Sequence, residues 1–226
     1  MKTNVYIDGF NLFYGLLKRS QHKWLNLETL FDAALPNNEI QRIRYFTARV
    51  EARDHDLDLP VRQETYLRAL ATLPRVSVEF GTFMASAVRA PLVEVDPQSG
   101  WPVKAQGRPV LKRDAAGALE MVCVHKSEEK GSDVNLAAHL LRDAFRGDCE
   151  CAVVVSNDSD LLTPIRMAKA DCGLTIGLIP PRAKGSLELK RLSDFQRSLR
   201  VHELAAAQFP EEVTDNVGTF RRPAGW

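Results

Sequence analysis

The run Cys151-Ala152-Val153-Val154-Val155 carries no charged side chain, and Ser156-Asn157-Asp158-Ser159-Asp160 follows it directly. An apolar run without alternation suits a strand covered on both faces, as in a parallel sheet packed between helices. The abrupt change to acids and small polar residues marks the end of that strand. Similar short runs recur: Asn4-Val5-Tyr6-Ile7-Asp8, residues 40–50 with Ile43, Tyr45 and Phe46, residues 76–81, and residues 174–179 before Pro180-Pro181. Between them lie stretches with helical spacing. Leu27, Leu30, Phe31, Ala34 and Leu35 form one stripe. Others run through residues 56–73 (from near Pro60 to Pro74), 133–145 and 160–170, where Pro164 falls in the first turn. Shorter helical pieces are predicted at 187–192 and 201–209.

Strands alternating with helices predict an α/β layer fold with a mostly parallel sheet and right-handed crossovers. Residues 84–124 break the rhythm with Pro91, Pro97, Gly100, Pro102, Gly107, Pro109 and Gly117. This stretch is expected to be an inserted β-ribbon or long loop. The expected organisation is one domain over residues 1–209 with that insertion, then an extended tail over 210–226.

Composition narrows the function. Thirty basic and 29 acidic residues leave a net charge of +1, so contact with a polyanion must be local. No apolar run approaches the ~20 residues of a membrane span. No leader-like stretch precedes the first strand, so a cytoplasmic location is expected. The four cysteines are then read as thiols, and Cys149-Glu150-Cys151 lacks the spacing of a zinc knuckle.

In a parallel sheet ligands bind beyond the carboxyl ends of the strands. Asp8 ends the first strand, and Asp158 and Asp160 follow the Val153-Val154-Val155 strand. Asp133 opens a helix after Lys130-Gly131-Ser132. Each has a structural reading. Asp158 or Asp160 can cap the next helix, contributing about 1 kcal/mol. Ser132 is a natural N-cap, Asp133 suits the helix dipole, and Asp8 can form an Asx-turn. Together, however, crowded carboxylates raise one another's pKa unless a cation separates them. Mg²⁺ or Mn²⁺ suits such oxygen donors.

Other carboxylate sites fit less well. Phe10 stands where a haloacid-dehalogenase phosphatase needs its second Asp, and Glu79-Phe80-Gly81 where a phosphate receiver needs its phosphoryl acceptor. There is no P-loop, dinucleotide fingerprint or nucleophile elbow. The five histidines are scattered.

Asp8-Gly9-Phe10-Asn11-Leu12, Lys130-Gly131-Ser132-Asp133-Val134 and Ser156-Asn157-Asp158-Ser159-Asp160-Leu161 occur in this order. They resemble the three signatures of the NYN domain family, a branch of the PIN-like nucleases, over roughly residues 2–179. The resemblance implies a Rossmann-like three-layer α/β/α fold and Mg²⁺- or Mn²⁺-dependent endoribonuclease activity that leaves 5′-phosphate and 3′-hydroxyl ends. It carries an acidic metal site onto Asp8, Asp133, Asp158 and Asp160, with Asn11 positioning water or phosphate. Two departures stand out: Asn157 replaces a more usual Gly, and the 84–124 insertion has no interpretable counterpart.

RNA is therefore the expected partner, in single-stranded or loop form. Candidate phosphate guides are Lys126, Lys130, Arg166, Arg182 and Lys184, Lys130 first because it adjoins the helix that presents Asp133. Tyr14 is the candidate for base stacking; Phe10, Phe13 and Phe83 read rather as core. A non-catalytic RNA- or nucleotide-binding module of the same fold is the alternative. A regulatory role for the insertion, the number of ions, and homo-oligomerisation stay open.

Overall fold

The structure, a computed structural model, describes residues 1–182 and 185–226. Strands of the main body place alternate side chains on opposite faces of one sheet. Val5, Ile7, Val153 and Val155 enter one apolar cluster, and Tyr6, Ala152, Val154 and Ile176 enter the other. Both faces are covered by helices, which is why the strand runs lack polar alternation.

In chain order, β1 (Lys2–Asp8) leads into α1 (Gly9–Leu12), which continues as a π-helical turn, Phe13–Leu17. Then come α2 (Leu27–Ala34), β2 (Glu39–Thr47), α3 (Leu59–Leu70) and β3 (Val76–Phe80). The insertion supplies β4 (Thr82–Pro91), β5 (Lys104–Ala105), β6 (Arg108–Pro109) and β7 (Met121–Lys130). The body resumes with α4 (Ser132–Arg146), β8 (Cys151–Val155), a 3₁₀ turn (Ser159–Leu161), α5 (Leu162–Cys172) and β9 (Thr175–Leu178). Last come α6 (Leu187–Leu192), β10 (Phe195–Gln196), α7 (Val201–Ala206), β11 (Glu212–Thr214) and β12 (Thr219–Arg221).

The six-stranded sheet has the order β10-β9-β8-β1-β2-β3, and every neighbouring pair is parallel. Successive strands after β1 move one way across the sheet; β8, β9 and β10 move the other way. The direction reverses between β1 and β8, and such a switch point opens a crevice at the strands' carboxyl ends. Asp8 and Ser156 stand there. Helices α2, α3 and α7 cover one face with Leu30, Phe31, Leu67, Leu70 and Leu204. Helices α4, α5 and α6 cover the other with Leu136, Leu140, Ile165 and Leu189. The result is the three-layer α/β/α Rossmann-like arrangement.

A buried ion pair ties α4 to the sheet. Arg44 donates to Asp143 through Nε at 2.8 Å and Nη2 at 3.2 Å, and the Tyr6 hydroxyl donates at 3.0 Å. Asp143 is fully buried. Burial raises its pKa, but the hydrogen bonds and charge of Arg44 outweigh that and hold the carboxyl below its ordinary value.

Residues 83–128 form a compact unit of their own. It is a β-ribbon: β4 pairs with β7, and β5 pairs antiparallel with β6. Bridges Val93–Leu111, Val95–Pro102 and Arg113–Leu119 extend the ladder between them.

The segment expected as an extended tail instead folds into the antiparallel β11–β12 hairpin. Arg68 grips it, donating to Asp215 at 2.6 and 2.7 Å, and lies over the Phe220 ring. Trp24 Nε1 donates to the Pro210 carbonyl at 2.8 Å, and Trp226 packs on Tyr66. No helix among the described residues is long and apolar enough to cross a membrane.

Candidate active site

Because β1 and β8 are parallel with Ile7 opposite Val155, the next residues, Asp8 and Ser156, reach the sheet edge side by side. The Ser156 hydroxyl donates to Asp8 Oδ2 at 3.0 Å and accepts from the Asp158 N–H at 3.0 Å. Asp8 also caps α1: its Oδ1 accepts from the Asn11 N–H at 2.9 Å, and its Oδ2 from the Asn11 side-chain amide. Asn11 Oδ1 in turn accepts from the Asn157 N–H at 3.4 Å. The first and third motifs are thus one hydrogen-bonded unit. Gly9 permits it, since a Cβ there would lie 2.7 Å from the Phe46 carbonyl oxygen and from Tyr45 Cζ.

Asp158 also caps, its Oδ1 accepting from the Asp160 N–H at 3.0 Å. The capping reading of Asp158 is therefore correct, Asp8 caps α1 where an Asx-turn was expected, and neither role removes these residues from the acidic group. Ser132 does not cap. Gly131, in the left-handed region at φ 94°, holds the N-cap position, and Ser132 is the first helical residue. Its N–H is satisfied by Glu129 Oε1 at 2.9 Å.

Electrostatics brings the acids together. Burial pushes the Asp133 carboxyl up to about 6, with further upward pressure from Asp8, Asp158, Glu129 and Asp160. Burial also raises Asp8, partly offset by the Asn11 and Ser156 hydrogen bonds, while Asp158 adds repulsion. Asp133 and Asp160 line an open cleft of about 460 Å³ with Glu129, Lys130, Pro164 and Met167. The acids share one field without closing on one point: among the described residues no three His, Cys, Asp or Glu side chains form a ready cage for a metal ion. The donor set is all carboxylate oxygen, which fits a hard divalent ion that keeps part of its water shell.

The candidate phosphate guides scatter. Lys130 lines the cleft with Asp133. Lys126 belongs to the ribbon unit and pairs there with Glu128. Arg182 is exposed and borders a different pocket, with Tyr14, Lys18 and Arg19. Arg166 is exposed on α5. Lys184 lies outside the described residues. Phe13 packs against the core, whereas Tyr14 is 42% exposed.

Three contributors were not singled out in the sequence. Ser156 stood inside the third motif, and its place opposite Asp8 follows once β1 and β8 are paired. Glu129 directly precedes Lys130 and could have been added to the acids. Tyr45 had no signal: burial first, then the Asp8 charge, pushes its phenol up, which sets it near the site from β2.

The model of the NYN domain family matches residues 2–199. The chain is 30% identical to 6-hydroxy-3-succinoylpyridine 3-monooxygenase HspA of Pseudomonas putida (strain DSM 28022 / S16), an alignment covering 100% of this chain and 75% of that protein. Among solved structures it resembles a protein of unknown function from Vibrio parahaemolyticus RIMD 2210633. That match has a TM-score of 0.51 and 13% identity, and covers 88% of this chain and 93% of the other. This last likeness concerns the fold.

Proposed function

The chain belongs to the NYN domain family, and on that premise we propose that it is a Mg²⁺- or Mn²⁺-dependent ribonuclease hydrolysing RNA phosphodiester bonds at the switch-point crevice. One observation carries this reading: Ser156 holds Asp8, the last residue of β1, beside Asp158, which follows β8, while Asp133 on α4 lines one cleft with Asp160 and feels the charges of all three. Carboxylates gathered from separate elements are costly unless a cation is their partner. Asp8, Asp133, Asp158 and Asp160 are the residues that would hold it. The ion would supply an activated water and relieve charge on the phosphoryl oxygens.

The chain's own residues do the rest. Ser156 and Asn11 fix the Asp8 carboxylate through three hydrogen bonds. Asp158 is fixed by its backbone N–H bond to Ser156. Lys130 brings positive charge to the cleft that Asp133 lines and draws the RNA backbone there. The test is cleavage of an unstructured RNA with Mg²⁺ or Mn²⁺, comparing the wild type with Asp8→Asn and Asp158→Asn. Loss of cleavage in both variants supports the reading. RNA binding without cleavage under either ion moves the assignment to a non-catalytic binding module.

A second reading is favoured by the relative named for a pyridine monooxygenase. Beside Asp8 lies an apolar cavity of about 70 Å³ walled by Phe10, Phe13, Tyr14, Tyr45, Tyr66 and Trp226. Such walls suit the edge of a flat heterocycle. Oxygen uptake with a hydroxypyridine and a reduced nicotinamide, yielding one hydroxyl on the ring and one water per O₂, would favour this reading over hydrolysis.

A further inference from the structure

Helix α1 and its π-turn line two unlike pockets. One is the aromatic cavity just described. The other is a polar pocket of about 430 Å³ lined by Tyr14, Gly15, Leu16, Lys18, Arg19 and Arg182. Lys18, Arg19 and Arg182 are exposed cations, and among the described residues no acid lines the pocket. Tyr14 lines both pockets. Its ring lies 6.4 Å from that of Phe10 at 23°, and Lys18 Nζ is 4.8 Å from its centroid.

The juxtaposition is built into the backbone. A Cβ on Gly15 would lie 2.6 Å from Pro181 Cβ, so only glycine lets the segment after β9 seat against the π-turn. That contact brings Arg182, next in the chain, to Lys18 and Arg19, which are otherwise remote in sequence. π-Turns often mark functional sites because they redirect side chains within a helix.

We propose that this helix carries a nucleotide subsite beside the carboxylates, with a pyrimidine base entering the aromatic cavity over Tyr14 and its 5′-phosphate lying on Lys18, Arg19 and Arg182. The inference rests on the RNA reading above and names the part of the strand that the site grips. Charge argues for the phosphate: three cations on one wall suit a doubly charged group. A cavity of about 150 Å³ admits a whole benzene ring, whereas this one is about 70 Å³, so only one edge of a base enters. A pyrimidine leaves less ring outside than a purine, and Lys18 leaves the Tyr14 face for the phosphate as the base takes its place. Lys23, Thr47 and the Tyr45 hydroxyl offer polar contacts at the cavity wall. The Gln63 amide, in contrast, is committed to the Val50 N–H and the Ala48 carbonyl at 2.9 Å each.

The test is equilibrium binding in EDTA, read in a Trp101→Phe background as the change in Trp226 fluorescence over the emission of the buried Trp24. Uridine 5′-monophosphate is the probe, against uridine, ribose 5-phosphate, adenosine 5′-monophosphate and a pyridine carboxylate. Uridine 5′-monophosphate is expected to bind at least tenfold tighter than each of the others. Tyr14→Ala is expected to weaken it roughly tenfold, a typical loss for one base stack. Tyr14→Phe restores binding, and Arg182→Glu weakens it by a similar factor. Ribose 5-phosphate or the adenine nucleotide binding as well as the uridine nucleotide overturns the proposal. So does indifference to Arg182→Glu, or tighter binding of the pyridine carboxylate. No cleavage is read, so absence of nuclease activity leaves this result standing, and nuclease activity unaffected by Tyr14→Ala and Arg182→Glu does not rescue it.

Discussion

The Ser156 hydroxyl bridges two neighbouring parallel strands, donating to Asp8 Oδ2 at 3.0 Å while accepting from the Asp158 N–H at 3.0 Å. One small side chain therefore sets the separation of two carboxylates that belong to different motifs. Residues that orient a metal ligand typically change metal affinity by about 10–100-fold when removed. Ser156→Ala is expected to raise the Mg²⁺ or Mn²⁺ concentration for half-maximal cleavage by about that factor, with Ser156→Thr intermediate. A metal titration checks this. An unchanged half-saturation point in the alanine variant means that Ser156 only packs.

Asp133 offers a prediction that needs no substrate. With no cation present its folded carboxyl titrates at about 6, above the unfolded value of 3.8. The folded state then binds more protons than the unfolded state between these values. This stabilising contribution is complete below the lower value and is lost as pH rises through the upper one. In EDTA, Asp133→Asn should raise Tm relative to the wild type at pH 7, and the gap should close toward pH 4. Mg²⁺ at pH 7 should stabilise the wild type more than the variant. Thermal melts across that range are the measurement; parallel curves would mean that the acids do not interact.

The Arg44–Asp143 pair behaves oppositely. Its carboxyl is held below the ordinary range, so the stabilisation exists above the unfolded pKa and is lost as pH falls through the folded one. Asp143→Asn leaves the buried Arg44 guanidinium with only the longer contact to Glu79, 3.5 Å from its Nη1. Breaking a buried pair from one side costs about 3–5 kcal/mol. Urea unfolding of Asp143→Asn should show a loss of this order. Combining Arg44→Met and Asp143→Leu with Tyr6→Phe, which removes the hydroxyl that would lose its acceptor, should recover much of it.

Parts of the architecture were readable wherever local chemistry alone decides. β8 follows from an apolar run that only a doubly covered strand tolerates, and α4 from its stripe through Leu136 and Leu140. The acids at the strand ends were readable for the same reason, because the parallel alternation places them on one edge. What was hidden depends on contacts distant in sequence. The β11–β12 hairpin is gripped by Arg68 through Asp215, 147 residues away, and nothing in residues 210–226 announces that. Helix α1 is only four residues long before its π-turn; it is nucleated by the Asp8 cap and seated by Gly9. Ser132 looked like a cap by type, but Gly131 holds that position and Glu129 reaches forward to satisfy the Ser132 N–H. Tyr45 reaches the site only because β2 is the neighbour of β1.

Gly9 links fold and site most directly. A Cβ at this position would lie 2.7 Å from the Phe46 carbonyl oxygen, a backbone atom in β2, and 2.8 Å from the buried Tyr45 hydroxyl. Neither neighbour can swing aside, because Phe46 is held in the β2 ladder and Tyr45 is only 7% exposed. Gly9→Ala must therefore lift α1 from the sheet, at a cost of about 1–3 kcal/mol for overpacking. The same lift draws Asn11 away from Asp8 and loosens the cap that fixes its carboxylate. Cleavage should then fall well beyond the share explained by unfolding at the assay temperature, with the metal dependence shifted as in Ser156→Ala. Gly15→Ala, strained at the other end of the helix against Pro181, should weaken nucleotide binding while leaving the metal dependence unchanged. Measuring both variants for stability, metal titration and nucleotide affinity separates the carboxylate end of the helix from its aromatic and basic end.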